Sequence, residues 1–180
     1  GVMGYSEFVT RKLQMVAPVG YSDPGEMPAH LFPHQRDLTA WALRRGRCAI
    51  FADTGLGKSR MEVTWADVVT RRERKPVLIL APLAVAAQTA QEGADIGVNV
   101  TVCRDDMDVR DGVNITNYDR LHRFDPARFA GVVLDESSII KHHDAKTLRI
   151  LMDAFSRTPF RLCASATPAP NDWRSEERRV

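Results

Sequence analysis

Apolar positions along the chain follow two rhythms. Between residues 6 and 16 they recur at helical spacing, with Val9, Leu13 and Val16 on one stripe, which predicts a short amphipathic helix over Ser6 to Val16. The next stretch, APVGYSDPGEMPAHLFP, is dense in Pro and Gly and reads as a loop. Pro33 suits a first helical position, and Leu38, Trp41 and Ala42 continue a helix that Gly46 can stop. From there the pattern alternates. CAIFA (48–52), VLILA (77–81), VNVTVC (98–103), VNITN (113–117), GVVLD (131–135) and RLCAS (161–165) read as strands. Helices are predicted over Lys58 to Arg71, with Met61, Trp65 and Val68 on one face, and over Leu83 to Glu92, which Gly93 can end. A third runs from Thr147 to Phe155, with Leu148, Leu151, Met152 and Phe155 on one stripe. DPARFAG (125–131) is one capped turn, with Asp125 as cap and Pro126 inside. Strands apolar throughout are buried on both faces, and strand–helix alternation implies a parallel sheet. The expected fold is a three-layer α/β/α sandwich with a mainly parallel sheet, without internal repeats.

Composition changes this picture little. The 180 residues are 44% hydrophobic and 27% charged, which excludes the disordered and low-complexity classes. A net charge of +2 gives no argument by itself for a nucleic-acid partner. The apolar run from Val77 to Ala87 is broken by Pro82 and too short to span a bilayer, so no membrane is expected. The first residues show no basic-then-apolar signal pattern. Cys48, Cys103 and Cys163 form neither a zinc spacing nor a disulfide framework. A reduced, cytoplasmic chain is expected, with these cysteines packed as small apolar residues.

The chemistry starts at Ala52-Asp53-Thr54-Gly55-Leu56-Gly57-Lys58-Ser59, between a strand and a helix. It fits the phosphate-loop pattern G-x-x-x-x-G-K-[ST] with Ala52 in first place. Gly55 and Gly57 let successive N–H groups turn inward on a triphosphate. The helix N-terminus adds its dipole. Lys58 would reach the β- and γ-phosphates and the Ser59 hydroxyl would ligate Mg²⁺. These residues predict a nucleotide site.

Val132-Val133-Leu134 runs into Asp135-Glu136-Ser137-Ser138. Carboxylates at the C-terminal end of a buried parallel strand stand where such sheets bind ligands. Asp135 can hold Mg²⁺, and Glu136 can orient and deprotonate an attacking water. Ser165-Ala166-Thr167-Pro168 follows the last strand.

In this order the segments resemble the first RecA-like lobe of a superfamily-two helicase, over about residues 31–172. ADTGLGKS resembles that family's nucleotide loop, LDESS its D-E-x-x box, and SATP the S-A-T box that links hydrolysis to movement. Phe32-Pro33-His34-Gln35 is similar to the family's leader, whose glutamine recognises adenine. The resemblance implies ATP with Mg²⁺, Gln35 as base reader, Thr54 to Ser59 as phosphate binders, and Ser165 and Thr167 as coupling residues. Ala81-Pro82-Leu83 and Ile115-Thr116-Asn117-Tyr118-Asp119 resemble segments of Swi/Snf-like DNA translocases. By that likeness Pro82, Leu83, Thr116 and Asn117 lie on loops that touch the nucleic-acid backbone, most simply of duplex DNA. LDESSIIK also resembles the Swi/Snf-like D-E-x-H-x-[IL]-K pattern, with Ser138 at the usual histidine position. The Ser137-Ser138 form is similar to phage and prophage members.

The expected organisation is an extension over 1–30, the lobe over 31–172 and a polar tail over 173–180. A second RecA-like lobe with an arginine finger, which hydrolysis in this family requires, is not among these residues. Rival readings are the motor of a restriction enzyme, a DEAD/DEAH-box RNA helicase, or a silent nucleotide-binding module. The basic runs Arg44-Arg45, Arg47 and Arg71 to Lys75 read as solvated helix ends. His142-His143 lacks a third ligand at metal spacing and reads as surface.

Overall fold

The computed structural model describes residues 17–52 and 56–166. The helix expected over Ser6 to Val16 and the tail over 173–180 lie outside the described residues. In chain order the elements are α1 (Pro33–Arg45), β1 (Arg47–Ala52), α2 (Leu56–Glu73), β2 (Val77–Leu80), α3 (Leu83–Asp95), β3 (Val100–Val102), β4 (Val113–Thr116), β5 (Gly131–Asp135), α4 (Glu136–His142), α5 (Ala145–Ala154) and β6 (Phe160–Ala166). Short 3-10 turns cover Asp106–Asp108, Tyr118–Arg123 and Pro126–Arg128. The strands form one six-stranded sheet in the order β1-β6-β5-β2-β4-β3, and each pairing is parallel. This is the expected α/β architecture.

Successive side chains on a strand point to opposite faces, and the core divides accordingly. Cys48, Ile50, Val77, Ile79, Val113, Ile115, Val133, Leu162 and Ala164 face α1, α2 and α3, in one cluster with Leu38, Leu43, Met61 and Trp65. Ala49, Leu78, Leu80, Val132, Leu134 and Cys163 face the other way, against Tyr118, Phe124, Phe129, Ile139, Leu148, Leu151 and Phe155. The helices therefore cover both faces, and the predicted stripes of α2 and α5 point into these two cores.

α1 ends where expected. Gly46 has φ 78° and its N–H closes on the Ala42 carbonyl at 3.0 Å, a backbone geometry that favours glycine. The stretch before α1 is a loop, as read, but a tightly held one. Val19, Gly20 and Tyr21 donate their N–H groups to the carbonyls of Arg45, Arg44 and Leu43, and Met27 and Leu31 enter the first core.

Several expected boundaries shift by one to three residues, and two of the shifts have a plain physical reason. α3 does not stop at Gly93 but runs on to Asp95. Gly93 serves close packing instead: a β-carbon there would meet Val100 Cγ2 at 2.7 Å and the Val98 carbonyl at 2.8 Å. β3 is shorter than 98–103 because the Val98 N–H is bonded to the Gly93 carbonyl at 2.8 Å. α4 was not expected as a helix. It begins with Asp135 as cap, and seven mostly polar residues carry little periodic signal.

Candidate nucleotide site

β1 and β2 are consecutive in the chain yet separated in the sheet by β6 and β5. α2 makes this crossover and packs on β2, β5 and β6. Its first turn therefore comes to the C-terminal end of β5, where Asp135 ends the strand. Lys58 Nζ lies 2.6 Å from Asp135 Oδ1, and both side chains are under 10% exposed. Coulomb attraction in a partly desolvated site makes this a strong contact, though desolvation offsets much of the gain.

Asp135 is held on its other side by α4. Ser138 donates its hydroxyl to Oδ2 at 2.8 Å and, at 3.4 Å, its N–H to Oδ1. Lys58, Ser59, Asp135 and Ser138 line a cleft of about 180 Å³ together with Glu62, Val85, Gln88 and Thr89. Glu62, one helical turn beyond Lys58, is buried. Burial pushes its carboxyl up to about 8; the Asp135 charge adds to the rise and Lys58 opposes it. Burial also raises the Glu92 carboxyl on α3, against the pull of Ser59 and Arg60. Neither glutamate was singled out from the sequence. A charge inside the run Met61 to Val69, otherwise mostly apolar and buried, was the available signal for Glu62.

Gln35 is buried at the third position of α1. Its Oε1 accepts the Phe32 N–H at 2.9 Å, and a β-carbon at Gly57 would collide with its Nε2. The expected leader glutamine and the expected phosphate-loop glycine are thus in contact, although they are distant in sequence. Glu136 opens α4 with a carboxylate only 1% exposed and Cys163 as an electrostatic neighbour. It does not line the cleft with Asp135. Ser165 is buried on β6, opposite Phe51 of β1. Leu56 opens α2. Thr54, Gly55 and Thr167 lie outside the described residues.

The expected nucleic-acid residues separate. Pro82 caps α3 and Leu83 is 59% exposed beside it. Asn117 caps the turn Tyr118–Arg123 by accepting the Arg120 N–H at 3.1 Å. Thr116 is not on a loop. It ends β4, is 1% exposed, and donates its hydroxyl to the Cys103 carbonyl at 2.8 Å. It therefore offers no group to a phosphate. The likeness to the loop segment misplaced it because the strand runs two residues, Ile115 and Thr116, into that motif.

Among the described residues no helix is long and apolar enough to cross a membrane, and no group of three or more His, Cys, Asp or Glu could hold a metal by itself. The three cysteines are buried and free. Burial pushes the Cys48 thiol up to about 12 and the Cys103 thiol to about 11, so both stay protonated and unreactive.

No family model and no curated protein matches the sequence. Solved structures do. The UvsW helicase from bacteriophage T4 superposes with a TM-score of 0.62 at 15% identity, over 93% of this chain and 61% of that one. A second structure of T4 UvsW gives 0.62 at 14% identity, over 93% and 35%. This chain therefore spans less than two thirds of the length of either of those chains. The C-terminal domain of a possible DNA helicase from Lactobacillus plantarum gives 0.52 at 14% identity, over 82% and 92%. At these identities the likeness is one of fold.

Proposed function

We propose that this chain is the ATP-binding lobe of an ATP-dependent DNA helicase or translocase of the Swi/Snf-like kind. The observation that carries the reading is the buried 2.6 Å pair between Lys58 and Asp135. A lysine in the first turn of a helix and a carboxylate at the end of a parallel strand meet beside the Ser59 hydroxyl, in one cleft. That donor set fits a nucleotide with its divalent ion. The helix N-terminus and Lys58 suit phosphate, and Ser59 with Asp135 suits Mg²⁺. The ion bound there would neutralise charge on the phosphates. A set of one hydroxyl and one carboxylate is weak alone and suits a metal that arrives with phosphate oxygens.

In this reading Lys58 exchanges Asp135 for phosphate, freeing the carboxylate for the ion. Gln35, against Gly57, stands at the base-reading side of the loop. Glu136 is the general base, and Ser165 and Thr167 link the site to movement. Exposed Leu83, with Pro82 and Asn117, forms the nucleic-acid contact, and a second RecA-like lobe elsewhere in the full-length protein completes hydrolysis. Proteins named as helicases share the fold, which supports the class.

The test is a titration with a fluorescent ATP analogue. Lys58→Ala should weaken Mg·ATP binding by more than about tenfold, as expected for removing a charge-assisted contact to phosphate. Equal affinity in the two proteins would refute the nucleotide site. For the substrate, turnover by the full-length protein should rise with duplex DNA and fall as salt increases. Stimulation by RNA alone would move the chain to the RNA helicases.

A further inference from the structure

Two observations meet at Ser138. Its hydroxyl proton is given to Asp135 Oδ2, which leaves the oxygen's own lone pairs free to accept. Beside it lies the Tyr118 hydroxyl, buried in the second core and, among the described residues, without a partner at hydrogen-bond distance; the nearby Ser138 hydroxyl eases the phenol's ionisation, while burial and the Asp135 charge oppose it. Burial and the Asp135 charge hold the proton on that phenol. A donor that is costly to leave unbonded thus stands next to an acceptor with spare capacity. Tyr118 is also the first residue of the turn Tyr118–Arg123, which exposes His122 and Arg123 to solvent. Its ring is anchored edge-on against His143, centroids 5.1 Å apart.

We propose that Tyr118 and Ser138 are positioning residues for Asp135, a donor chain that couples the turn after β4 to the Lys58–Asp135 pair. The inference rests on the nucleotide reading above. When nucleotide and Mg²⁺ fill the cleft, a small displacement of the turn brings the Tyr118 O–H onto Ser138 Oγ, and each bond in such a chain polarises the next. Ser138 then grips Asp135 Oδ2 more firmly and fixes the direction of Oδ1. Oδ1 is the oxygen that Lys58 now holds and that an incoming metal would claim. A phosphate backbone seated on Asn117 and Arg123 would act on this chain without touching the nucleotide.

The experiment measures, on the 180-residue chain, the Mg²⁺ concentration that half-saturates its enhancement of fluorescent ATP-analogue binding. Wild type is compared with Ser138→Ala, Ser138→Thr, Tyr118→Phe and the Tyr118→Phe/Ser138→Ala double variant, with thermal unfolding as the check of folding. Losing one hydrogen bond should raise the Mg²⁺ requirement about fivefold in Ser138→Ala and about threefold in Tyr118→Phe. The double variant should match Ser138→Ala, because residues acting in series do not add. Ser138→Thr, which restores the hydroxyl, should return to the wild-type value. An unchanged Mg²⁺ requirement in folded Tyr118→Phe, or additive effects in the double variant, would overturn the relay while leaving the nucleotide site intact. Failure of wild type itself to bind nucleotide would overturn both.

Discussion

Both faces of the sheet are packed by apolar side chains, but they differ in how the strands bring hydrogen bonds into the core. On the first, α1, α2 and α3 pack by apolar contact around Trp65, which is fully buried. On the second, the strands themselves carry polar groups into the core. Asn114 is 0% exposed, yet its carboxamide accepts the Arg110 N–H at 2.9 Å and donates to the carbonyls of Arg110 and Gly112 at 2.9 and 3.2 Å. Thr116, on the same side of β4, is bonded to Cys103, and Tyr118 follows it into the core. Apolar packing is non-directional and tolerates adjustment. Buried hydrogen bonds are directional, and the groups left behind are penalised when one partner goes. The first face supplies bulk stability, and the second fixes the loops that surround the site.

Trp65→Ala probes the first face most severely. It should cost about 3–5 kcal/mol in urea-induced unfolding, the range for removing a buried aromatic side chain. A loss below 1 kcal/mol would break the contrast. Asn114→Ala should cost less, about 1–3 kcal/mol, because it removes a buried side chain that bonds half-buried backbone groups of Arg110 and Gly112. It should also speed amide exchange in that stretch, which Trp65→Ala should do only through global unfolding. Hydrogen exchange read by mass spectrometry separates the two.

Glu62 gives a pH test of the first face. Its folded carboxyl sits at about 8 against an ordinary 4.5, so the folded state binds the proton more tightly than the unfolded chain. The stability this contributes is complete below about 4.5 and is lost as pH rises through about 8. Glu62→Gln should remove that decline, measured as unfolding midpoints across this range. A wild type with flat stability there would mean that Glu62 is ionised throughout. The smallest effect belongs to Leu83→Ala, an exposed position outside both cores. Its unfolding free energy should stay within about 0.5 kcal/mol of wild type, so a larger loss would place Leu83 in a packing role.

This contrast also decides what could be read from the sequence. The first face was legible because long helices repeat their apolar stripe many times, as Met61, Trp65 and Val68 do, and because buried strands such as Val77–Leu80 have no polar interruptions. The meeting of Lys58 with Asp135 could be anticipated because a lysine after two glycines and paired carboxylates after an apolar strand are local signals. The second face was less so. Val113–Thr116 alternates apolar and polar residues, yet all four are buried, since Asn114 bonds the backbone of Arg110 and Gly112 and Thr116 the Cys103 carbonyl, 13 residues away. No local pattern announces that Gln35 will meet Gly57, or that Tyr118 will lie beside Ser138. Those contacts are produced by sheet order, and α4 was missed because its seven residues serve the site more than a core.

The strand order carries a further consequence, for synthesis. Among the described residues β1 sits at the edge of the sheet and pairs with β6 alone. The bond from the Arg47 guanidinium to the Pro159 carbonyl closes a separation of 112 residues. As the chain leaves the ribosome, β1 must wait for the last strand before it has a neighbouring strand. At 5–20 residues per second that wait is roughly 5–20 s. During it β2, β4 and β5 can already associate. β1 would be the last strand of the sheet to find its place, and a nascent chain stalled before residue 160 should leave the amides of Arg47–Ala52 open to exchange.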